Sequence, residues 1–441
     1  MTNRWAIGLA GVVVMMCLGT VYSWSLFTQP LIASFGWNSQ TTAITFELAI
    51  FFLGVGAVIG GRWQDSVGPR RVIMTGVAFW GVGVLLAGLG TTHFGSWWIW
   101  LTYGVLGGLG LGMGYITPVA VVTKWFPDMR GVGSGMVVMG FGLGAFVYNQ
   151  IVPRLPAFAA AAKQAGAYAK ARADAIAAHT TFDPTQYAMT PENVQAIMTT
   201  FVVSGIVFLA LGLLCATFVS NPPAGYTVPG AVAAAASAAR SYSPGEMFGT
   251  IQFYLLWLML FLNVTAGIMV ISVAVPAFSE LTGVTPKAAG VIYGFLAVFN
   301  GLGRFFWGSV SDKIGRNAAY FLIFGIQAVI FYLLGGFHSV WLVGGAFAII
   351  LLCYGGGFGT MPSFNADYFG TKFLGVNYGW ILTAWGVAGV VGPYIAARVK
   401  DFSGSYVGAF LPIAIMLTVA AILPLVTRKP AAAAAAAPVT S

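Results

Sequence analysis

The chain of 441 residues is 59% hydrophobic and only 7% charged, with 20 basic and 11 acidic side chains and a net charge of +9. A water-soluble globule of this length carries charge on about a quarter of its residues, so most of this surface must face lipid. The basic excess is scattered rather than gathered on a soluble domain, which excludes a nucleic-acid-binding surface and fits the positively charged inner loops of a membrane protein.

Continuous apolar runs near the ~20 residues a membrane helix needs predict twelve spans. The first, 5–28, is followed by no small-residue cleavage site and reads as a retained span rather than a signal peptide. Next come 41–61, 72–91, 97–123, 131–152 and 196–219, then 251–276, 288–309, 317–336, 340–362, 376–396 and 407–427. The runs do not alternate, which argues against strands. The outer loop 153–195 contains "AAAAKQAGAYAKARADAIAAH", an Ala-rich stretch that predicts a surface helix. Residues 220–247, rich in Pro, Ala and Ser, read as a cytoplasmic linker between two halves, 1–219 and 248–428. The tail 429–441 reads as disordered. Lys and Arg concentrate on the segments that lie inside when the N-terminus is inside. Both termini are therefore expected in the cytoplasm, with the protein in a bacterial inner (plasma) membrane.

Cys17, Cys215 and Cys353 fall within apolar runs at no metal or redox spacing, and His93, His179 and His338 fall in outer loops without ligand spacing. "GGLGLGMG" (107–114) lacks the Gly-Lys-Ser/Thr ending of a phosphate loop, so close helix packing explains it better. No metal, cofactor or nucleotide is expected.

The chain repeats itself. "GRWQDSVGPRR" follows the second span and "GSVSDKIGR" the eighth; "KWFPDMRG" after the fourth span and "ADYFGTKF" after the tenth form a weaker pair at nearly the same offset. Two similar halves with a site between them are the architecture of secondary transporters. The first pair resembles the cytoplasmic signature of the major facilitator superfamily. Gly61, Asp65, Gly68, Arg70 and Arg71 match in one copy, and Gly308, Asp312, Lys313, Gly315 and Arg316 in the other. The resemblance implies an all-α membrane protein of twelve transmembrane helices in two six-helix halves. The motif's glycines allow a tight turn. Its Asp can cap a helix N-terminus and pair with a basic residue of a neighbouring span. Asp65, Arg70, Asp312 and Arg316 are thus the expected gating residues.

A narrower resemblance covers nearly the whole chain. "GTVYSWSLF", "KWFPDMRGVGSG", "GRFFWGSVSDKIGR" and "NYGWILTAWG" are similar to segments of the oxalate/formate antiporter family, which is related to the monocarboxylate porters. It implies that Arg304 binds a substrate carboxylate and that Tyr22, Tyr115 and Tyr354 form an aromatic cage, with Phe141 at a further cage position. The oxalate-exchanging branch carries a lysine in span eleven where this chain has Trp385, which points toward a monoanion. Human-type monocarboxylate porters carry an Asp where this chain has Asn300, which points away from proton coupling at that position.

Physical chemistry reaches Arg304 independently. It is the one basic residue inside a predicted span, and such an arginine costs at least a few kcal/mol unless it faces a cavity or a partner. Snorkelling to the cytoplasmic interface, ~12 Å away at 1.5 Å per residue, is the alternative. Asn300 lies one turn away on the same face, and no intramembrane acid is near in sequence. An unpaired guanidinium fork suits a carboxylate. Tyr22, Tyr115, Tyr354 and Trp385 complete the candidate lining, with Trp24, Tyr293 and Tyr378 behind them. Helix packing or an interfacial belt is the alternative for each ring. Glu47, two turns inside the outer end of span two, is a candidate for carrying protons, a structural carboxylate being the alternative.

The expected function is secondary transport of small carboxylates, foremost a monocarboxylate of the lactate, pyruvate or formate class. It would proceed by proton symport or anion exchange through alternating access, in a monomer. The alternatives are an oxalate/formate-type dicarboxylate antiporter and a non-transporting sensor with a carrier fold. A membrane enzyme would need clustered acids, histidines or Ser/Lys pairs within the spans, and the sequence has none.

Overall fold

A computed structural model of the chain describes residues 3–228, 240–403 and 405–430. Among them are twelve helices long and apolar enough to cross a membrane, and no strand. They are α1 (Arg4–Ser23), α2 (Ser39–Val67), α3 (Pro69–Phe94), α4 (Ser96–Trp125), α5 (Arg130–Arg154), α6 (Pro191–Ala216), α7 (Ile251–Thr282), α8 (Ala288–Ile314), α9 (Arg316–Leu334), α10 (Val340–Phe369), α11 (Leu374–Lys400) and α12 (Val407–Val426).

Several helices outrun their predicted spans. Hydropathy falls where a helix leaves the lipid, but the helix itself stops only at a cap. For α2 and α10 the stops are Gly68 and Gly370, with φ of 88° and 78°, a region that glycine enters without a side-chain clash. The first span is shorter than predicted. α1 tightens into a 3-10 turn at Thr20–Ser23, and a separate helix, Ser25–Phe35, follows. α8 is also broken, at Ala297, between Pro286–Leu296 and Val298–Ile314. Broken spanning helices are common where a transporter builds its central site.

The predicted surface helix exists as Pro156–Ala177 but is not free in solvent. Phe158, Ala161, Ala165 and Tyr168, spaced three to four residues apart, bury one face. Phe158 meets Phe27 edge-on at 5.5 Å, and Phe27 packs on Phe201 of α6 at 4.3 Å.

Residues 229–239 of the predicted linker and 431–441 of the predicted tail lie outside the described residues. The ends of the linker are docked. Trp125 Nε1 donates to the Ser220 carbonyl at 2.7 Å, and the Tyr242 N–H donates to Phe369 O at 2.9 Å. Ser243 and Glu246 form a capping box at the start of a short helix, Pro244–Phe248. The Ser243 N–H and hydroxyl, then Arg240, hold the Glu246 carboxyl down to about 2. A depressed carboxyl keeps its contacts above its unfolded value, so this cap is lost only as pH falls toward about 2.

The two six-helix halves meet along two seams, α2 on α11 and α5 on α8. Small residues let backbones touch there. A methyl group on Gly61 would overlap the carbonyl of Gly375, and one on Gly131 would overlap that of Gly308.

Candidate functional site

Arg304 lies two turns beyond the break in α8. Gly135 of α5 and Gly359 of α10 press against its carbonyl, where a side chain on either would clash. The backbone is thus clamped, and the side chain is 0% exposed. This burial replaces the snorkelling alternative. Nε donates to Asn300 Oδ1 at 3.3 Å and Nη1 to the Val138 carbonyl at 3.5 Å, both long. Nη2 donates to nothing, and no carboxylate pairs with the guanidinium, among the described residues. The faces of Phe358 and Phe141 take up part of the charge, with Cζ at 4.8 and 5.4 Å from the ring centroids.

Around it stands a box of rings. Trp385 of α11 lies 4.6 Å from Phe358, 5.5 Å from both Phe141 and Tyr115, and 6.1 Å from Tyr22. The hydroxyls of Tyr22 and Tyr354 share a hydrogen bond of 3.0 Å that ties α1 to α10. Buried Tyr115 OH and Trp385 Nε1 have no partner among the described residues. Arg304, Asn300, Tyr22, Tyr115, Tyr354 and Trp385 are therefore brought together, as the sequence reading expects. Phe358 belongs with them and was missed. Its spacing of one helical turn from Tyr354 was the available signal. An apolar box with one positive fork and several unused donors suits a small organic anion: donors for its oxygens, ring faces for its carbon skeleton.

Other candidates lie elsewhere. Glu47 is exposed on α2, with no hydrogen bond or ion pair among the described residues. Trp24 donates to the Thr42 carbonyl at 3.0 Å and packs on Tyr103 at 4.8 Å, bracing helices of the first half.

The motif aspartates lie at one end of the bundle, and both reach across the seams. Asp312, near the end of α8, accepts from the N–H groups of Gly131 and Val132, each at 2.9 Å, at the start of α5. Asp65, near the end of α2, accepts from Val376 N at 3.0 Å at the start of α11. Each carboxylate thus satisfies free donors of a helix N-terminus in the opposite half. Arg316 pairs with Asp312 at 2.7 Å and with Asp367 at 3.0 Å, and Asp367 also holds Arg130 at 2.7 Å. Asp367 was not anticipated. Arg70 requires a correction: it is exposed and makes no ion pair among the described residues. Arg316 directly follows its glycine, Gly315. In the first copy Pro69 takes that place, and Arg70 sits about 100° further round the helix. Asp65 Oδ1 is left without a hydrogen bond.

The profile of the Major Facilitator Superfamily matches residues 9–152, 189–393 and 256–441. The oxalate:formate antiporter of Oxalobacter formigenes is 28% identical over 409 residues, spanning 91% of this chain and 86% of its own. Apicoplast pyruvate carrier 1 of Toxoplasma gondii is 25% identical over 468 residues, spanning 90% and 83%. The crystal structure of the E. coli fucose:proton symporter FucP (N162A) superposes with a TM-score of 0.68 over 95% of this chain and 97% of that one, at 15% identity, a likeness of fold alone.

Proposed function

The chain belongs to the Major Facilitator Superfamily of transporters, and we propose that it carries small monocarboxylates by alternating access. The observation that supports this most is the buried guanidinium of Arg304, without a carboxylate partner among the described residues, inside a ring box between the two halves. An entering carboxylate supplies the missing counter-charge in a bidentate pair. Asn300 holds Nε in place from one turn away. The end that carries Asp65 and Asp312 faces the cytoplasm of an inner (plasma) membrane. There the two seams and their helix caps close the path, while the Tyr22–Tyr354 contact closes it toward the outside. All groups of the site come from one chain, so a monomer suffices.

The test is uptake of labelled lactate, pyruvate, formate and oxalate into proteoliposomes, with each unlabelled acid as competitor. Monocarboxylates are expected to be taken up and to displace one another, with oxalate a weak competitor. Absence of uptake despite binding favours the sensor reading. Strong competition by oxalate favours the dicarboxylate antiporter, a reading supported by the likeness to the Oxalobacter formigenes protein.

Trp385 sets the number of charges the box accepts. Trp385→Lys adds a second cation and removes the ring that touches Phe358, Phe141, Tyr115 and Tyr22. It is expected to weaken monocarboxylate competition by about tenfold, the scale of one charge-assisted or ring contact, and to admit oxalate. Unchanged selectivity in competition assays places Trp385 outside substrate recognition.

Glu47 is the proposed proton carrier, a structural carboxylate being the alternative. Glu47→Gln fixes the neutral form. This variant is expected to keep exchange at symmetric pH and to lose acceleration by an inward proton gradient. Full retention of the gradient response makes Glu47 a surface carboxylate without a coupling role.

A further inference from the structure

Three helices that contribute rings to the box place a polar residue seven positions from the ring, toward the Asp65/Asp312 end. On α5 the pair is Phe141 and Ser134, on α10 Phe358 and Asn365, and on α11 Trp385 and Tyr378. Seven residues are nearly two turns, so each pair shares a face, and the polar residue lies about 10 Å deeper along the helix. All three are 0% exposed. Ser134 is satisfied, sharing a hydrogen bond of 3.0 Å with Ser363 and donating to the Gly359 carbonyl at 2.9 Å. The other two are not. Neither Nδ2 nor Oδ1 of Asn365 has a hydrogen-bond partner among the described residues; the Tyr378 hydroxyl, which faces that of Tyr115 in the box, has none within 3.5 Å. The other two ring helices, α1 and α4, differ: seven residues from Tyr22 and Tyr115 toward the same end stand Met15 and Val122.

A fully buried amide with no partner is rare and costly. Leucine would fill its place in a helix packing surface at lower cost. An unpaired amide in the closed arrangement becomes explicable when another arrangement supplies its partner. The seams close this level only while the helix caps at Gly131, Val132 and Val376 hold. Once they part, Asn365 and Tyr378 face water and whatever leaves the ring box.

We infer that Asn365 and Tyr378 form a second, neutral carboxylate site one layer toward the cytoplasm, which receives the anion as it leaves Arg304. This inference rests on the transport reading given above. The Asn365 amide N–H and the Tyr378 hydroxyl donate to the carboxylate without a full charge. They lower the barrier to leaving Arg304 and do not compete with it for tight binding.

The experiment uses the full chain in proteoliposomes of defined orientation, with labelled lactate presented from either side. Binding at Arg304 is read separately, by quenching of Trp fluorescence in detergent. For Asn365→Leu, the KM for entry from the Asp65/Asp312 side is expected to rise by about tenfold, the scale of one hydrogen bond to a charged group. KM from the opposite side and the fluorescence Kd should stay unchanged, and thermal stability without substrate should rise. Tyr378→Phe removes one oxygen and leaves the fold intact; a smaller rise on the same side only is expected. Equal changes from both sides, or none in either variant, overturn the second site. A native protein that binds lactate at Arg304 but moves no carboxylate overturns the transport reading itself, whatever the variants do.

Discussion

Replacing Arg304 with lysine is expected to cut carboxylate uptake at low substrate by a hundredfold or more while leaving the protein folded. Lysine keeps the charge but loses the planar fork. Each hydrogen bond to a charged group contributes about 1.5–3 kcal/mol. Two lost from a bidentate pair amount to about 3–6 kcal/mol, which is more than a hundredfold in affinity. Stability should be little affected, because among the described residues the guanidinium makes two hydrogen bonds, both long, to Asn300 and Val138. A buried charge without an ionic partner destabilises its surroundings, so Arg304→Leu should unfold no earlier than the native chain while transporting nothing. Uptake assays beside thermal unfolding decide the matter. Ordinary uptake by a well-expressed Arg304→Lys carrier removes Arg304 from substrate binding.

Gly131→Val is expected to hold the Asp65/Asp312 end open. The added side chain meets the backbone carbonyl of Gly308, which has no rotamer through which to yield. Overpacking of this kind costs about 1–3 kcal/mol. Prising α5 from α8 also strips Asp312 of the Gly131 and Val132 donors, at about 1.5–3 kcal/mol each. A shift of several kcal/mol moves a two-state equilibrium by well over a hundredfold. Exchange should collapse, since the closed arrangement can no longer form. Ser134 is buried just inside this end, against Ser363. Ser134→Cys should therefore react slowly with a water-soluble thiol reagent in the native background and much faster once Gly131→Val is added. Cys17 and Cys353 are buried, and Cys215, which is only partly buried, is replaced by serine in both backgrounds. Continued protection of the new cysteine in the double variant overturns the prediction.

The spans were legible in the sequence because lipid imposes a simple rule: continuous apolar runs with their backbone satisfied internally. Arg304 was legible for the opposite reason, being a cation where that rule makes cations costly. The box was legible only in part. Tyrosines and a tryptophan stand out in resemblance and polarity. Phe358 is one phenylalanine among many in apolar helices, and only the packing of α10 against α11 reveals what it touches. Asp367 reads as an ordinary helix-end acid until the fold places Arg130 and Arg316 on either side of it. Arg70 misled for a local reason: Pro69 displaces the basic residue by one position, and one position on a helix is a different face. The breaks at Ala297 and Thr20–Ser23 carry no proline to announce them.

The two seams are not equally fastened. The α5–α8 seam has two backbone bonds to one carboxylate, reinforced by ion pairs running through Arg316, Asp367 and Arg130. At the α2–α11 seam, among the described residues, Asp65 makes one hydrogen bond within 3.5 Å, to Val376 N, and its second, buried oxygen makes none. In the proposed alternating access, this unequal fastening would let α2 and α11 part before α5 and α8. Displacement in a rotation grows with distance from the axis, so groups on the helices that stay together would travel least. Arg304 is on α8, and Trp385 is on α11. In such a swing Arg304, the proposed anion site, would travel less than Trp385, the proposed sizing ring. On the proposed reading, the anion would be released as Trp385 draws away from Arg304.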